Sequence, residues 1–405
     1  MQDNVLYALI AAVIIIGGIS IGAVYDQEIS QSAKGPGNPG NSQPATVAPY
    51  SLTLVITTSN IYNSTVGDQP AFYVLNDGQL QSSANITLPS NTQIDLTIIN
   101  YDDGPATTAQ AYANVTGTTN NEMTIFNETN INSSYSGNGI SVSGSQTVTH
   151  VPDSNIAHTF TVFSGTKEVV NLPITPSSTI QASFTLNSGS YTWQCEAACG
   201  SGNAGWNGAM STPGWMTGAV YVSSSVPAQN YYSLTLLIST SNWFNNTVTD
   251  QPAYYVLDNG KLVSTENITL PAGKKIVATI VNYDDGPADT AATYANVTGT
   301  TNNQITIVNE TNVNSSQGSN GIVVNGTAPV SNVPDTNIAH TFTLLSGAST
   351  VINIPVTPSS VIQTSFTLNS GSYTWQCEAA CGSGNAGWNG AMSTPGWMTG
   401  TVFAQ

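Results

Sequence analysis

Arginine is absent from this 405-residue chain, and lysine occurs five times against 22 acidic residues, for a net charge of −17. Nothing here neutralises a run of phosphates, which excludes nucleic-acid binding. Charge of either sign is scarce: 7% of residues carry one, so Ser, Thr, Asn and Gly must do the solubilising. A surface of neutral polar groups keeps its charge when carboxylates protonate, which fits an acidic or otherwise harsh cell exterior. Apolar residues at helical spacing are missing from every window beyond residue 26. No nucleophile–base pair, phosphate loop or zinc motif is legible.

What is scarce is also concentrated. The segment Ser183–Gly218 recurs letter for letter as Ser365–Gly400, and the two copies hold all four cysteines, four of the six methionines and six of the seven tryptophans. They belong to a tandem duplication at a constant offset of 182 residues, in which Tyr50 matches Tyr232, Asp102 matches Asp284, His158 matches His340 and Cys195 matches Cys377. Solenoid units are far shorter, so a repeat of this length predicts two whole domains, 50–226 and 227–405.

Ahead of them, Val5 to Tyr25 is an apolar run of about twenty residues, enough to span a bilayer core. Residues 1–26 are read as a single transmembrane anchor; a cleaved signal peptide is the rival, but a basic n-region and a small-x-small cleavage site are both missing. Residues 27–49, centred on Gly35-Pro36-Gly37-Asn38-Pro39-Gly40, form a linker. Eleven Asn-x-Ser/Thr triplets follow, at Asn63, Asn85, Asn114, Asn127, Asn132, Asn245, Asn267, Asn296, Asn309, Asn314 and Asn325. They favour an outward-facing, glycosylated body held to the cell membrane by one span.

Inside each half the local pattern is β throughout. Leu52-Thr53-Leu54-Val55-Ile56-Thr57, Gln93 to Ile99 and His158 to Phe163 are alternating or β-branched runs bounded by Asn, Gly and Pro. Many short strands with turn signals between them predict a sandwich or Greek-key barrel. The insertions from Pro105 to Asp153 and from Pro287 to Asp335 are too long for bare loops, and each is expected to add a hairpin on the outside of its sandwich. Asp102-Asp103-Gly104-Pro105 reads as a turn. His150, matched by Asn332, is expected in solvent.

The run from Ile268 through Pro271-Ala272-Gly273 to Asn282-Tyr283-Asp284 resembles the strand-turn-strand of cupredoxins that ends in Asn-x-Asp. Ile156-Ala157-His158-Thr159-Phe160 and Ile338-Ala339-His340-Thr341-Phe342 are similar to that family's His-Ser/Thr-Phe triplet, displaced by the insertion. The run from Ala182 to Cys195 is similar to the strand entering the family's ligand loop, and Cys195-x-x-x-Cys199-Gly200 resembles the binuclear (CuA-type) copper loop of haem-copper oxidase subunit II. The resemblance implies an all-β chain of two tandem cupredoxin-like Greek-key β-sandwiches after a single N-terminal transmembrane helix. It implies copper, one or two ions per domain, held by His158, Cys195, Cys199 and Met216 and by His340, Cys377, Cys381 and Met398. Met216 is preferred to Met210 because it leads into a strand. Where the family has its second His, four residues after the second Cys, this chain has Asn203 and Asn385; the family's carbonyl ligand falls at Ala197, with Glu196 one place early.

Two readings stay open. In the first, the chain is an electron-transfer subunit serving a terminal oxidase or other respiratory redox partner, and not a self-contained catalyst. In the second, it is a metal-free, glycosylated surface protein of the envelope or a filament, self-associating, with each Cys pair a disulfide and His158 and His340 mere polar core residues. The first requires each histidine within about 8 Å of the sulfurs of its own half.

Overall fold

The computed structural model describes residues 48–405 apart from 64–66, 128–129, 137–138, 200–207, 246–247, 311, 319–320 and 382–389. The anchor expected over Val5–Tyr25 and most of the linker lie outside the described residues. No helix among the described residues is long and apolar enough to cross a membrane. They contain strands and short 3-10 turns only, as the missing helical periodicity predicts.

In the first half the strands are β1 (Tyr50–Asn63), β2 (Gly67–Asn76), β3 (Gln79–Ser82), β4 (Asn85–Pro89), β5 (Gln93–Asn100), β6 (Met123–Phe126) and β7 (Asn132–Ser136). They continue with β8 (Gly139–Ser143), β9 (Gln146–Val148), β10 (His158–Ser164), β11 (Lys167–Ile174), β12 (Thr179–Thr185), β13 (Gly189–Gln194) and β14 (Thr217–Ser223). One sheet runs β3-β2-β1-β5-β12-β6-β9 and the other β11-β10-β13-β14-β4. Chain neighbours β4 and β5 lie in different sheets, and β1 with β5 and β14 with β4 pair in parallel among otherwise antiparallel ladders. Those crossovers make each half a two-sheet sandwich.

The second half repeats the plan as β15 (Tyr232–Asn245), β16 (Val248–Asp258), β17 (Lys261–Ser264), β18 (Asn267–Leu270), β19 (Lys275–Asn282), β20 (Thr306–Val308) and β21 (Asn314–Gly318). Then come β22 (Gly321–Asn325), β23 (His340–Ser346), β24 (Ser349–Val356), β25 (Val361–Thr367), β26 (Gly371–Gln376) and β27 (Thr399–Ala404).

Strand alternation sets what each sheet face does. On β1, β2 and β5 one set of residues, Leu54, Ile56, Phe72 and Ile98, fills the sandwich of the first half. The other set, Val55, Ala71, Tyr73 and Ile99, fills a third core together with Leu237, Ala253, Tyr255 and Val281 of the second half. Because both faces are buried, these strands read as nearly continuous apolar runs. The two sandwiches therefore belong to one compact unit, 48–405.

Contacts across that third core come in reciprocal pairs, the mark of an isologous two-fold interface. Tyr73 Oη bonds Ser315 Oγ at 3.0 Å and Tyr255 Oη bonds Ser133 Oγ at 3.0 Å. Gly78 N–H donates to Gln363 Oε1, and Gly260 N–H to Gln181 Oε1.

Ser133 and Ser315 belong to the insertions, whose placement differs from expectation. The expected hairpins exist, as β7–β8 and β21–β22. Neither lies on the outside of its own sandwich: β7 pairs with β15 at Ser134 and Trp243, and Asn314 Oδ1 accepts from Ile61 N–H at 3.4 Å. Each half lends an arm to the other. The polar hairpins reach partners there because β1 and β15, 14 residues each, run past their own sandwiches.

Candidate metal centre

β10 opens on His158, β13 closes one residue before Cys195, and β14 opens one residue after Met216. Register joins them: β10 pairs with β13, β13 with β14, and Cys195 N–H donates to Met216 O at 2.8 Å. A tight turn then carries the chain to Cys199, whose N–H donates to Ala197 O at 2.8 Å. Three side chains far apart in the chain meet as a result. His158 Nδ1 lies 2.9 Å from Cys199 Sγ and 3.9 Å from Cys195 Sγ, and the sulfurs are 3.1 Å apart.

The second half repeats this with His340 Nδ1 at 2.9 Å from Cys381 Sγ and 4.0 Å from Cys377 Sγ, and 3.0 Å between sulfurs. Both histidines lie far inside the 8 Å limit. All four cysteines are free thiols, since a disulfide bond is about 2.05 Å long.

Around the cluster the structure is dry and hydrogen-bonded. His158 and Cys195 are 0% exposed and Cys199 is 3% exposed. Thr159 N–H points at Cys195 Sγ (3.4 Å) while its Oγ1 accepts from Glu196 N–H (2.7 Å), so one residue clamps both the sulfur and the loop. Ala197 O stands 3.6 Å from Cys195 Sγ, which puts a carbonyl at the position the family resemblance assigned to one. Phe72 meets the His158 ring edge-on at 6.0 Å, and Trp193 packs on Phe72 at 5.0 Å with its Nε1 bound to Ser83 O. Gly218 is needed there: a Cβ would fall 2.4 Å from Trp193 Nε1.

Asp102 is the residue that sequence reasoning missed. It does sit in a turn, accepting from Gly104 N–H, but its other carboxylate oxygen Oδ2 takes His158 Nε2 at 3.0 Å. Asp284 holds His340 in the same way at 3.0 Å. The Asn-x-Asp ending of β5 was the available signal. A carboxylate on Nε2 fixes the ring orientation and raises the basicity of Nδ1, the nitrogen that faces the sulfurs.

The remaining candidates divide by position. Met216 and Met210 both lie in the same buried core as the cysteines, as do Met398 and Met392 in theirs. Only Met216 and Met398 have a backbone carbonyl bonded to the first cysteine. His150 is exposed, as expected. Asn203 and Asn385 lie outside the described residues.

Electrostatics couple the groups. Burial works against a charged His158, but its hydrogen bonds to Asp102 and Cys195 and their charges win, and the pKa is pushed up to about 9; His340 behaves alike. Burial likewise opposes ionisation of Cys195, yet the Cys199 thiol, the His158 ring and Thr159 N–H hold it well below the ordinary thiol value. Cys199 is pushed well above by burial, then by the Cys195 and Asp102 charges. The metal-free centre therefore holds one thiolate and one imidazolium per half, with the second thiol protonated.

That pairing predicts an unusual pH profile for the metal-free protein. The raised His158 pKa contributes stability that is complete below about pH 6.5 and lost as pH rises through about 9. The depressed Cys195 pKa contributes stability present above about pH 8.5 and lost as pH falls. Between about 6.5 and 8.5 the slopes cancel, because folded and unfolded chains bind the same number of protons at these two groups. Above that window Cys199 adds to the loss, since it keeps a proton that the unfolded chain releases. Denaturant unfolding under reducing conditions should show a plateau from 6.5 to 8.5 with losses on both sides. A steady slope near 1.4 kcal/mol per pH unit across the window would show that the ion pair does not form.

A donor set of two sulfurs and one imidazole nitrogen suits a soft or borderline first-row ion. The donor atoms of each group lie within 4.8 Å of one another, and donors about 2.0–2.3 Å from a common ion cannot be more than about 4.6 Å apart, so the spacing fits. His, Cys and Asp in line also resemble an activated nucleophile, but nucleophilic catalysis needs a reachable sulfur and has no use for a second thiol 3.1 Å away.

No protein-family model matches the chain, and no curated sequence does. Solved structures similar to it include a copper-containing nitrite reductase from Thermus scotoductus, at 13% identity and TM-score 0.21, covering 88% of this chain and 61% of that one. This chain thus spans less than two thirds of that enzyme's length. A blue copper oxidase from Nitrosomonas europaea matches at 11% identity and TM-score 0.20 (88% and 86% covered), and a copper nitrite reductase from Nitrosomonas europaea at 10% and 0.19 (88% and 94%).

Proposed function

We propose that this chain is a copper protein for electron transfer with one sulfur-rich site in each half. The observation that carries the reading is the buried Cys2His cluster, present twice, with each imidazole Nδ1 turned onto the sulfurs and its Nε2 held by a carboxylate. Cys195, Cys199 and His158 would hold copper in the first half with the Met216 thioether as the weak fourth donor; Cys377, Cys381, His340 and Met398 would do so in the second. Copper so held supplies one-electron exchange, and two thiolates with a thioether favour Cu(I).

The chain's own part is to keep the donors in place. Asp102 orients His158, Thr159 fixes Cys195 and its loop, and the packed core around Phe72 and Trp193 excludes water. The proposal extends to an exterior body anchored by Val5–Tyr25 and to a terminal oxidase or similar respiratory partner, as the likeness to oxidase subunit II implies.

Copper analysis, visible absorption and thiol titration of the full chain test the reading. Intense thiolate-to-copper bands with copper in both halves support it. Colourless protein whose four thiols react only after reduction, with copper absent before and after, would replace it with a metal-free glycosylated sandwich. Asp102→Asn should weaken copper binding by about 10- to 100-fold in the first half, because a neutral amide lowers the basicity of the ligating nitrogen. Competition against a copper chelator measures this, and unchanged affinity would remove Asp102 from the centre.

A further inference from the structure

Each sheet ends on strands with a neighbour on one side only, and such edges pair with other chains unless charge, proline or brevity blocks them. This chain has little charge to use. Edge strand β11 carries Lys167, Glu168 and Pro173, and its counterpart β24 carries Pro355. At the ends of the inner sheets, β3, β9, β17 and β20 are only three or four residues long. The opposite edges of the outer sheets differ. Asn85-Ile86-Thr87-Leu88 in β4 and Asn267-Ile268-Thr269-Leu270 in β18 are uncharged, pair only with β14 and β27, and have as an ordinary block only Pro89, where β4 stops.

Both strands open on an Asn-x-Thr triplet. Alternate residues of a strand share a face, so Asn85 and Thr87 stand in solvent while Ile86 is buried, and Asn267, Thr269 and Ile268 do the same. Another pair of triplets is committed elsewhere. Half-buried Asn127 and Asn130 accept each other's backbone N–H through their side-chain oxygens at 2.9 Å, and Asn309 and Asn312 do likewise at 2.8–2.9 Å.

We infer that Asn85 and Asn267 carry N-linked glycans that guard the open edges β4 and β18 against pairing with a second copy of this chain. The amide nitrogen forms its bond to the anomeric carbon of a lipid-phosphate-linked oligosaccharide; the sugar–phosphate bond breaks and the amide proton leaves with the phosphate. A neutral, bulky, hydrated group takes the place of the charges this sequence lacks. The inference rests on the exterior placement proposed above.

Glycopeptide mass spectrometry of the full chain isolated from its own cells, with copper measured on the same sample, tests it. Glycan mass is expected on the peptides of Asn85 and Asn267, with Asn127 and Asn309 bare. An N85Q/N267Q chain should lose that mass and associate with rising concentration in sedimentation, at unchanged copper content, while a T87S/T269S chain stays glycosylated and monomeric. Glycans on other triplets with Asn85 and Asn267 bare overturn the inference alone. No glycan anywhere overturns the exterior placement with it. Glycans present but a monomeric N85Q/N267Q chain overturn the guarding role. Copper content reports on the metal site separately in every case.

Discussion

Replacing Cys195 by Ser is expected to halve the copper bound by the chain and to remove the thiolate-to-copper absorption of the first half while leaving that of the second. A serine hydroxyl stays protonated where Cys195 is a thiolate, so the centre loses its anionic sulfur, and Cys199 keeps its proton for want of a stabilising partner. What remains is one neutral thiol, one imidazole and a thioether. The second centre draws all its donors from residues 340–398 and owes nothing to Cys195. Cys377→Ser should give the mirror result, and the double substitution a chain without copper. A Cys195→Ser chain with a full complement of copper, or one that loses the bands of both halves, would contradict two separate sites.

Trp215→Ala should lower the stability of both halves together. Trp215 is 0% exposed in the core between the sandwiches, where Leu237, Tyr255 and Val281 of the second half also pack. Truncating a buried tryptophan costs about 3–5 kcal/mol, since transfer and cavity terms add. With roughly 2 cal/mol/K of unfolding entropy per residue over residues 48–405, that is a fall of about 5 °C in melting temperature. Calorimetry should show one endotherm before and after the substitution, displaced as a unit. Two endotherms, only one of which moves, would mean that the third core does not join the halves.

The sequence by itself determined the class of fold and most of each centre. Period-two runs with turn residues between them allow nothing but strands, and an unbroken 182-residue offset requires that whatever one half builds the other builds too. His158, Cys195 and Cys199 stood out because few other residues in the chain can bind a soft ion, and rarity is visible without coordinates.

Three matters were decided only by the tertiary structure. Asp102 looked like a turn residue and is one, but its second oxygen meets a histidine 56 positions away, and no local pattern encodes a bond of that separation. The hairpins of the insertions were legible as hairpins, yet which sandwich they join depends on how far β1 and β15 extend beyond their own partners. The third core was hidden for a related reason. Apolar residues on both faces of β1, β2 and β5 show that both faces are buried without naming what covers them, and only the packed chain reveals that the cover is its own second copy.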